Sequence, residues 1–388
     1  MKHFDVVIIG AGLAGLQCAK LLSQQGARIL LVDRKTDLTK GVHTTGIFVR
    51  KTLEDFDFPA GVLGRPIRDV SLYSPSLKAI SLQSKKDEFR IGDMGRLYQQ
   101  ILDDCIENGI EFAKGTRYLG TETKSGEVVV RLEYKGIGFK VGAKVLIGAD
   151  GANSRVARDL VLDENREWIV GYEEVYRSDK RTDEPQLHCF LDAKIAPGYL
   201  AWIADDGEEI HVGVGGYPSK FEPKTALSEF RDKIARQFLD IKAGQLTQTR
   251  GGRIPVGGVL KRIANEQGLL VGDAAGAVSP LTAGGLDPCM RLSAMAADVV
   301  IARLKKDDPK LMLSYSGKLF RTRFISRLWM RKMIALLSSQ TVLETGCAVL
   351  RTGLGRKFAQ HVFFGRGSFP DVEIKIRNKG RRAFVEEN

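Results

Sequence analysis

The 388-residue chain is poor in the residues that build metal and redox centres. Its five cysteines, Cys18, Cys105, Cys189, Cys289 and Cys347, lie far apart and form no C-x-x-C pair, which excludes the usual zinc and iron–sulfur frameworks. Reduced cytosolic thiols are the expectation. The five histidines, His3, His43, His188, His211 and His361, are equally scattered, so no metal is expected. Long hydrophobic runs are also missing. The stretch from Met333 to Leu350 is broken by Ser338, Ser339, Gln340 and Glu344, which argues against a spanning helix. The apolar run behind Lys2 and His3 contains Asp5 and a glycine pattern whose removal would delete a nucleotide fold, so it is not read as an export signal. The expected location is cytoplasmic, either soluble or peripheral at the inner face of the membrane.

What is present describes an ordinary globular chain, 43% hydrophobic and 27% charged, long enough for two or three domains. The net charge of +12 is unevenly placed. Residues 301–388 hold 19 Lys and Arg against 7 Asp and Glu, which leaves 40 of each sign in the rest. Within that segment Phe320, Phe324, Leu328, Met333 and Leu337 take apolar positions, and Arg323, Arg327 and Arg331 recur every four residues. A helix with a basic face is expected, either solvated or docked on an anionic membrane. Nucleic-acid binding has thin support, because no known module accompanies the basic stretch.

The chain is organised around Val6-Val7-Ile8-Ile9-Gly10-Ala11-Gly12-Leu13-Ala14-Gly15. Four β-branched residues predict a strand buried on both faces, and G-x-G-x-x-G predicts a sharp turn into a helix. Gly10 would permit the turn, Gly12 would let backbone approach a pyrophosphate, and Gly15 would let the helix pack closely on the strand. The amides at Leu13 and Ala14 would then face the phosphates. A helix to about Gln25 and a second strand over 28–32 lead to Asp33, placed to accept hydrogen bonds from an adenosine ribose.

Two further constellations follow. A strand at Lys144–Ile147 runs into Gly148-Ala149-Asp150-Gly151, with Ser154 and Arg155 beyond; Asp150 could cap the next helix or steady a pyrophosphate. The strand at Gly268–Val271 runs into Gly272-Asp273, then through Pro280-Leu281-Thr282-Ala283-Gly284-Gly285-Leu286 into a helix to about Leu304. A carboxylate at Asp273 suits a ribityl hydroxyl, which a nicotinamide dinucleotide does not possess, and the Gly284 and Gly285 amides suit a flavin pyrimidine ring. Together the three motifs call for FAD. Between them, strands at 70–73 and 79–82 and from Trp168 to Tyr217 predict an antiparallel sheet, followed by one amphipathic helix carrying Leu227, Phe230, Ile234 and Phe238.

These residues resemble the geranylgeranyl reductase family, among the flavoproteins related to aromatic hydroxylases. The resemblance covers roughly residues 4 to 305 and implies an α/β fold: a Rossmann-like FAD-binding domain with an inserted antiparallel-sheet substrate domain and a C-terminal helical segment. The expected boundaries are 1–62, 93–165 and 262–305 for FAD, 63–92 and 166–261 for substrate, and 306–388 for the basic segment. The resemblance further implies reduction of carbon–carbon double bonds in an isoprenoid-like or other hydrophobic substrate, with electrons from NAD(P)H or a reduced carrier protein. It places His43, Thr44 and Gly46 along the flavin, Tyr118 where its backbone would contact adenine, and Gly285 with Leu286 at the isoalloxazine. Three departures stand out: His43-Thr44-Thr45 replaces a Cys-Gly-Glu-like stretch, Met94 takes the place of an FAD-contacting arginine that Arg96 could replace, and the lipid-pocket pattern becomes Tyr199-Leu200-Ala201-Trp202 with Trp displaced by one. Tyr199 and Trp202 are the candidate substrate contacts, and His43 is the candidate proton donor. The competing activity on the same three motifs is an FAD monooxygenase acting on an aromatic or lipid ring.

Overall fold

The computed structural model describes every residue except 125, 178–184, 239–244, 323, 337–338 and 366–388. Val6, Val7 and Ile8 are fully buried because the strand Lys2–Ile9 lies between two parallel partners, Ile29–Asp33 and Ile137–Gly148. A strand with no free edge and both faces covered needs an unbroken apolar run, and Val6 to Ile9 supply it. The sheet continues outward through Glu111–Lys114 on one side and the antiparallel meander Glu127–Tyr134 and Thr116–Lys124 on the other. Gly268–Leu270 pairs in parallel with the last residues of Ile137–Gly148. All three motif strands therefore end at the same edge of one sheet, which brings their turns together.

The helix Leu13–Ser23 packs against Met94–Glu107 and Leu286–Lys306. Its approach to the first strand is so close that a Cβ at Gly15 would lie 1.9 Å from the Gly10 carbonyl oxygen. Met94–Glu107 starts where it does because Asp93 accepts the Arg96 amide and caps the helix.

A second seven-stranded sheet runs in the order Leu246–Pro255, Trp168–Arg177, Glu209–Gly216, Ala201–Asp205, Gln186–Phe190, Asp69–Tyr73, Ala79–Leu82. It is antiparallel except where Gln186–Phe190 meets Asp69–Tyr73, which belongs to a hairpin from far earlier in the chain. A small third sheet joins Ile47–Val49 and Leu63–Ile67 through Phe89–Gly92. The single amphipathic helix expected over 227–238 is three pieces: Pro223–Phe230, a π-helical turn Arg231–Ala235, and Arg236–Phe238. A wider turn shifts the face it presents, and Phe238 still reaches Tyr73 and Phe190.

The C-terminal segment corrects the sequence reading most. The helix expected to carry Phe320 through Leu337 is divided into Gly317–Thr322 and Ile325–Leu336, followed by Gln340–Leu350 and Gly353–Phe364. Its basic face points inward: Arg327 and Arg331 are 6% and 4% exposed, while Ile325, Trp329 and Met333 stand in the open at 49%, 64% and 59%. Residues spaced four apart share a face of a helix, so the repeat was read correctly and assigned to the wrong side. Arg323 and Leu337 lie outside the described residues. No helix among the described residues is long and apolar enough to cross a membrane.

Candidate functional site

A cavity of about 1020 Å³ opens between the motif edge of the first sheet, the concave face of the second, and the C-terminal helices. Gly12, Leu13, Ala14, His43, Thr44, Gly46, Asp273, Gly284, Gly285 and Leu286 line it, and so do Tyr199 and Trp202. The expected roles of the glycines match the geometry. Gly10 turns the chain at φ +106°, which favours glycine, and a Cβ there would strike the Ala149 carbonyl at 2.3 Å. Around Gly12 there is open space, with no atom within 4 Å of where a Cβ would stand, so its backbone is free to meet a ligand.

Other expected contacts lie behind the lining. Asp33 accepts the Ala11 amide at 2.7 Å and the Lys35 amide at 2.8 Å, bracing the glycine turn. Asp150 accepts the Ser154 hydroxyl and the Arg155 and Val156 amides, so capping occupies it. Tyr118 donates its hydroxyl to Asp159, and its carbonyl accepts from Arg155. Arg96 reaches the Gly61 carbonyl at 3.0 Å, and Met94 packs beneath Gly46. Asp33, Asp150, Tyr118 and Arg96 thus each make contacts within the protein.

Asp273 differs. No described residue donates a hydrogen bond to its carboxylate, and desolvation pushes its pKa up to about 6. A carboxylate left without donors in a half-buried position is poised for a ligand hydroxyl. That, the open space at Gly12, and the helix N-terminus behind Gly284 and Gly285 form a cradle whose chemistry suits FAD: Asp273 would accept from a ribityl hydroxyl, Gly12 and Leu13 would meet the pyrophosphate, and Gly285 and Leu286 would meet the ring.

The opposite wall is built from side chains. Glu173, 3% exposed, accepts from Thr45 Oγ1 at 2.5 Å, Trp202 Nε1 at 2.9 Å and His211 Nδ1 at 3.2 Å, with Arg250 at 3.6 Å. Burial pushes its pKa up, but His211, Thr45 and Arg250 outweigh burial and hold it below the usual carboxylate range. Arg250 also donates to the Thr44 carbonyl at 2.9 Å, and His43 Nδ1 lies 3.1 Å from the Gly251 carbonyl. The loop 42–46 is thereby tied to the second sheet. A carbonyl only accepts, so His43 carries a proton on Nδ1, and Nε2 is left without a protein partner among the described residues. Partial desolvation, with Lys35 and Arg34 nearby, lowers its pKa.

Trp202 lies on the cavity face because glycines on the neighbouring strand leave room: a Cβ at Gly213 would sit 2.2 Å from its ring, and one at Gly215 would sit 2.6 Å from Tyr199. Tyr199 donates to the Thr282 carbonyl at 2.6 Å. The glycine alternation at 213 and 215 is the sequence signal that both rings share this face. Glu173 and Arg250 were missed, because a single charge on a strand carries no periodicity.

Glycine turn, second sheet and shared cavity define an FAD-dependent oxidoreductase. The chain belongs to the FAD binding domain family, which matches residues 3–329. Digeranylgeranylglycerophospholipid reductase 1 of Methanopyrus kandleri is 29% identical over 320 residues, covering 79% of this chain and 82% of the relative. The solved structure of a geranylgeranyl bacteriochlorophyll reductase-like protein from Thermoplasma acidophilum matches with a TM-score of 0.81 at 21% identity, over 95% of this chain and 98% of that one. The p-nitrophenol 4-monooxygenase PnpA of Pseudomonas putida matches with a TM-score of 0.68 at 15% identity, over 99% and 98%. The resemblance to geranylgeranyl reductases is borne out, and both structures share the fold.

Proposed function

We propose that this protein reduces carbon–carbon double bonds of an isoprenoid-like lipid, with electrons delivered by NAD(P)H or a reduced carrier protein. The observation that carries this reading is the lining of the cavity beyond the cofactor cradle, where Leu72, Phe89, Leu187, Leu191, Leu200 and Val362 form an apolar chamber. The relatives named as isoprenoid-lipid reductases support it. FAD bound in the cradle supplies the hydride. Glu173 and Arg250 hold loop 42–46 in place beside it, and Tyr199 and Trp202 wall the chamber. His43 donates the proton from Nε2; its lowered pKa makes the imidazolium a stronger acid, and the charged fraction falls as pH rises through that value.

The lipid enters from a bilayer surface on which the protein docks at the inner face. Trp329, Met333 and Phe358 are exposed and also line the cavity, so the mouth itself is apolar. Buried Arg327 and Arg331 cannot serve as the docking cations. Trp329→Ser with Met333→Ser is expected to abolish co-sedimentation with vesicles while FAD stays bound; unchanged recovery would remove docking from the proposal.

The activity is tested anaerobically, by mixing dithionite-reduced holoprotein with a polyprenyl lipid. Flavin reoxidation and a product two mass units heavier are expected. Substrate-dependent oxygen uptake with a hydroxylated product would establish the monooxygenase activity instead.

A further inference from the structure

Among the described residues the inward-facing arginines have no counter-charge. Arg327 donates to Ser279 Oγ at 3.4 Å and to the Val362 carbonyl at 3.3 Å; Arg331 donates through Nε to the Tyr217 hydroxyl at 3.2 Å, and its Nη2 is buried with no partner. No carboxylate among the described residues lies within ion-pairing distance of either. The faces of Tyr217 and Tyr199, 5.0 and 5.8 Å from the Arg331 guanidinium, offset part of its charge. Burial without an opposing charge lowers the pKa of Arg327.

Two cations one helical turn apart repel each other, and withdrawing each from water costs several kcal/mol. An arrangement of this kind is stable with an anion between them. A guanidinium matches the oxygens of a phosphate in bidentate fashion, and a phosphate monoester carries nearly two negative charges at neutral pH, as many as this pair would balance. The Tyr217 hydroxyl, which accepts from Arg331, keeps its own proton to donate. Both arginines line the cavity, and their contacts are with the Ser279 loop, the second sheet and the last helix rather than with the glycine turn that suits the cofactor pyrophosphate.

We propose that Arg327 and Arg331 form an oxyanion subsite that takes the phosphate ester at the head of an amphipathic substrate, with the chain lying along the apolar chamber. This rests on the reading of that chamber as a lipid site.

The test is calorimetric binding of farnesyl monophosphate, farnesol and inorganic phosphate to the FAD-loaded protein. A charge-assisted hydrogen bond of ordinary strength corresponds to roughly 10- to 100-fold in affinity. Farnesyl monophosphate is expected to bind at least about tenfold more tightly than farnesol, and Arg327→Gln or Arg331→Gln to remove about tenfold each from the phosphate ester alone. Arg331→Lys, which keeps the charge and loses the fork, should fall between. Farnesol affinity in each variant reports whether the chamber is still folded. Equal binding of ester and alcohol by the wild type, or equal losses for both in the variants, overturns the subsite and leaves the lipid reading standing. Tight inorganic phosphate with no binding of either prenyl probe supports the subsite as one for free phosphate and removes the lipid reading.

Discussion

The two walls of the cavity are built on opposite plans, and their carboxylates show it. On the motif wall Asp273 lines the cavity with no donor among the described residues, and its pKa is pushed up to about 6. On the second-sheet wall Glu173 is enclosed by Thr45, Trp202, His211 and Arg250, and its pKa is held low. One carboxylate awaits a partner, and the other is already satisfied. Backbone and unfilled hydrogen-bonding capacity make a wall for a ligand that brings its own hydroxyls and phosphates. A closed side-chain network makes a rigid wall for a ligand that brings mostly hydrocarbon.

The sharpest break of this comparison is on the motif wall. Gly15→Ala would put a methyl group 1.9 Å from the Gly10 carbonyl, between backbone elements that cannot both move, so loss of soluble folded protein is expected. Gly12 has an extended backbone and no neighbour, so Gly12→Val should fold with a melting temperature within a few degrees of wild type, yet purify colourless. Absorbance near 450 nm and thermal melting separate the two outcomes. A yellow Gly15→Ala protein would show that the close helix–strand approach is dispensable.

The second-sheet wall should respond through stability. Glu173→Ala strips the counter-charge from a buried arginine and leaves Trp202 Nε1, His211 Nδ1 and the Thr45 hydroxyl without acceptors. Breaking a buried ion pair from one side costs roughly 3–5 kcal/mol, measurable by urea unfolding. Glu173→Gln keeps the acceptor and loses the charge, so about half that loss is expected. An Ala variant as stable as wild type would mean that the network is not what holds loop 42–46.

Much of the motif wall was legible in the sequence, because backbone recognition demands glycine at fixed spacings and buried strands demand unbroken apolar runs. Gly10, Gly12, Gly15 and Asp273 therefore stand out in a single chain. Asp33 and Asp150 come from the same motifs, and their side chains also brace a turn and cap a helix, a structural duty that residue type alone does not reveal. The second wall was nearly silent. Glu173 and Arg250 meet across strands 77 positions apart in the chain, and neither has local periodicity. The direction of Arg327 and Arg331 failed for a different reason: helical spacing fixes which residues share a face, and tertiary packing decides which face is inside.

The subtlest expected effect separates the two carboxylates by pH. The folded-state pKa of Asp273 is raised to about 6, above the ordinary value of about 3.9. In the apoprotein its contribution to stability is therefore present in full below about 3.9 and lost as pH rises through about 6. A flavin hydroxyl donates to the ionised form, so FAD affinity should be greatest above pH 6 and decline by at most about tenfold per unit below it. Asp273→Asn should lower affinity above pH 6 and flatten the profile. Glu173, held low, stays ionised across that window and contributes no inflection there. Quenching of flavin fluorescence on titration into apoprotein between pH 5 and 8 measures both proteins. A dissociation constant independent of pH in the wild type, or the same profile in the Asn variant, would show that the Asp273 carboxylate does not hold the cofactor.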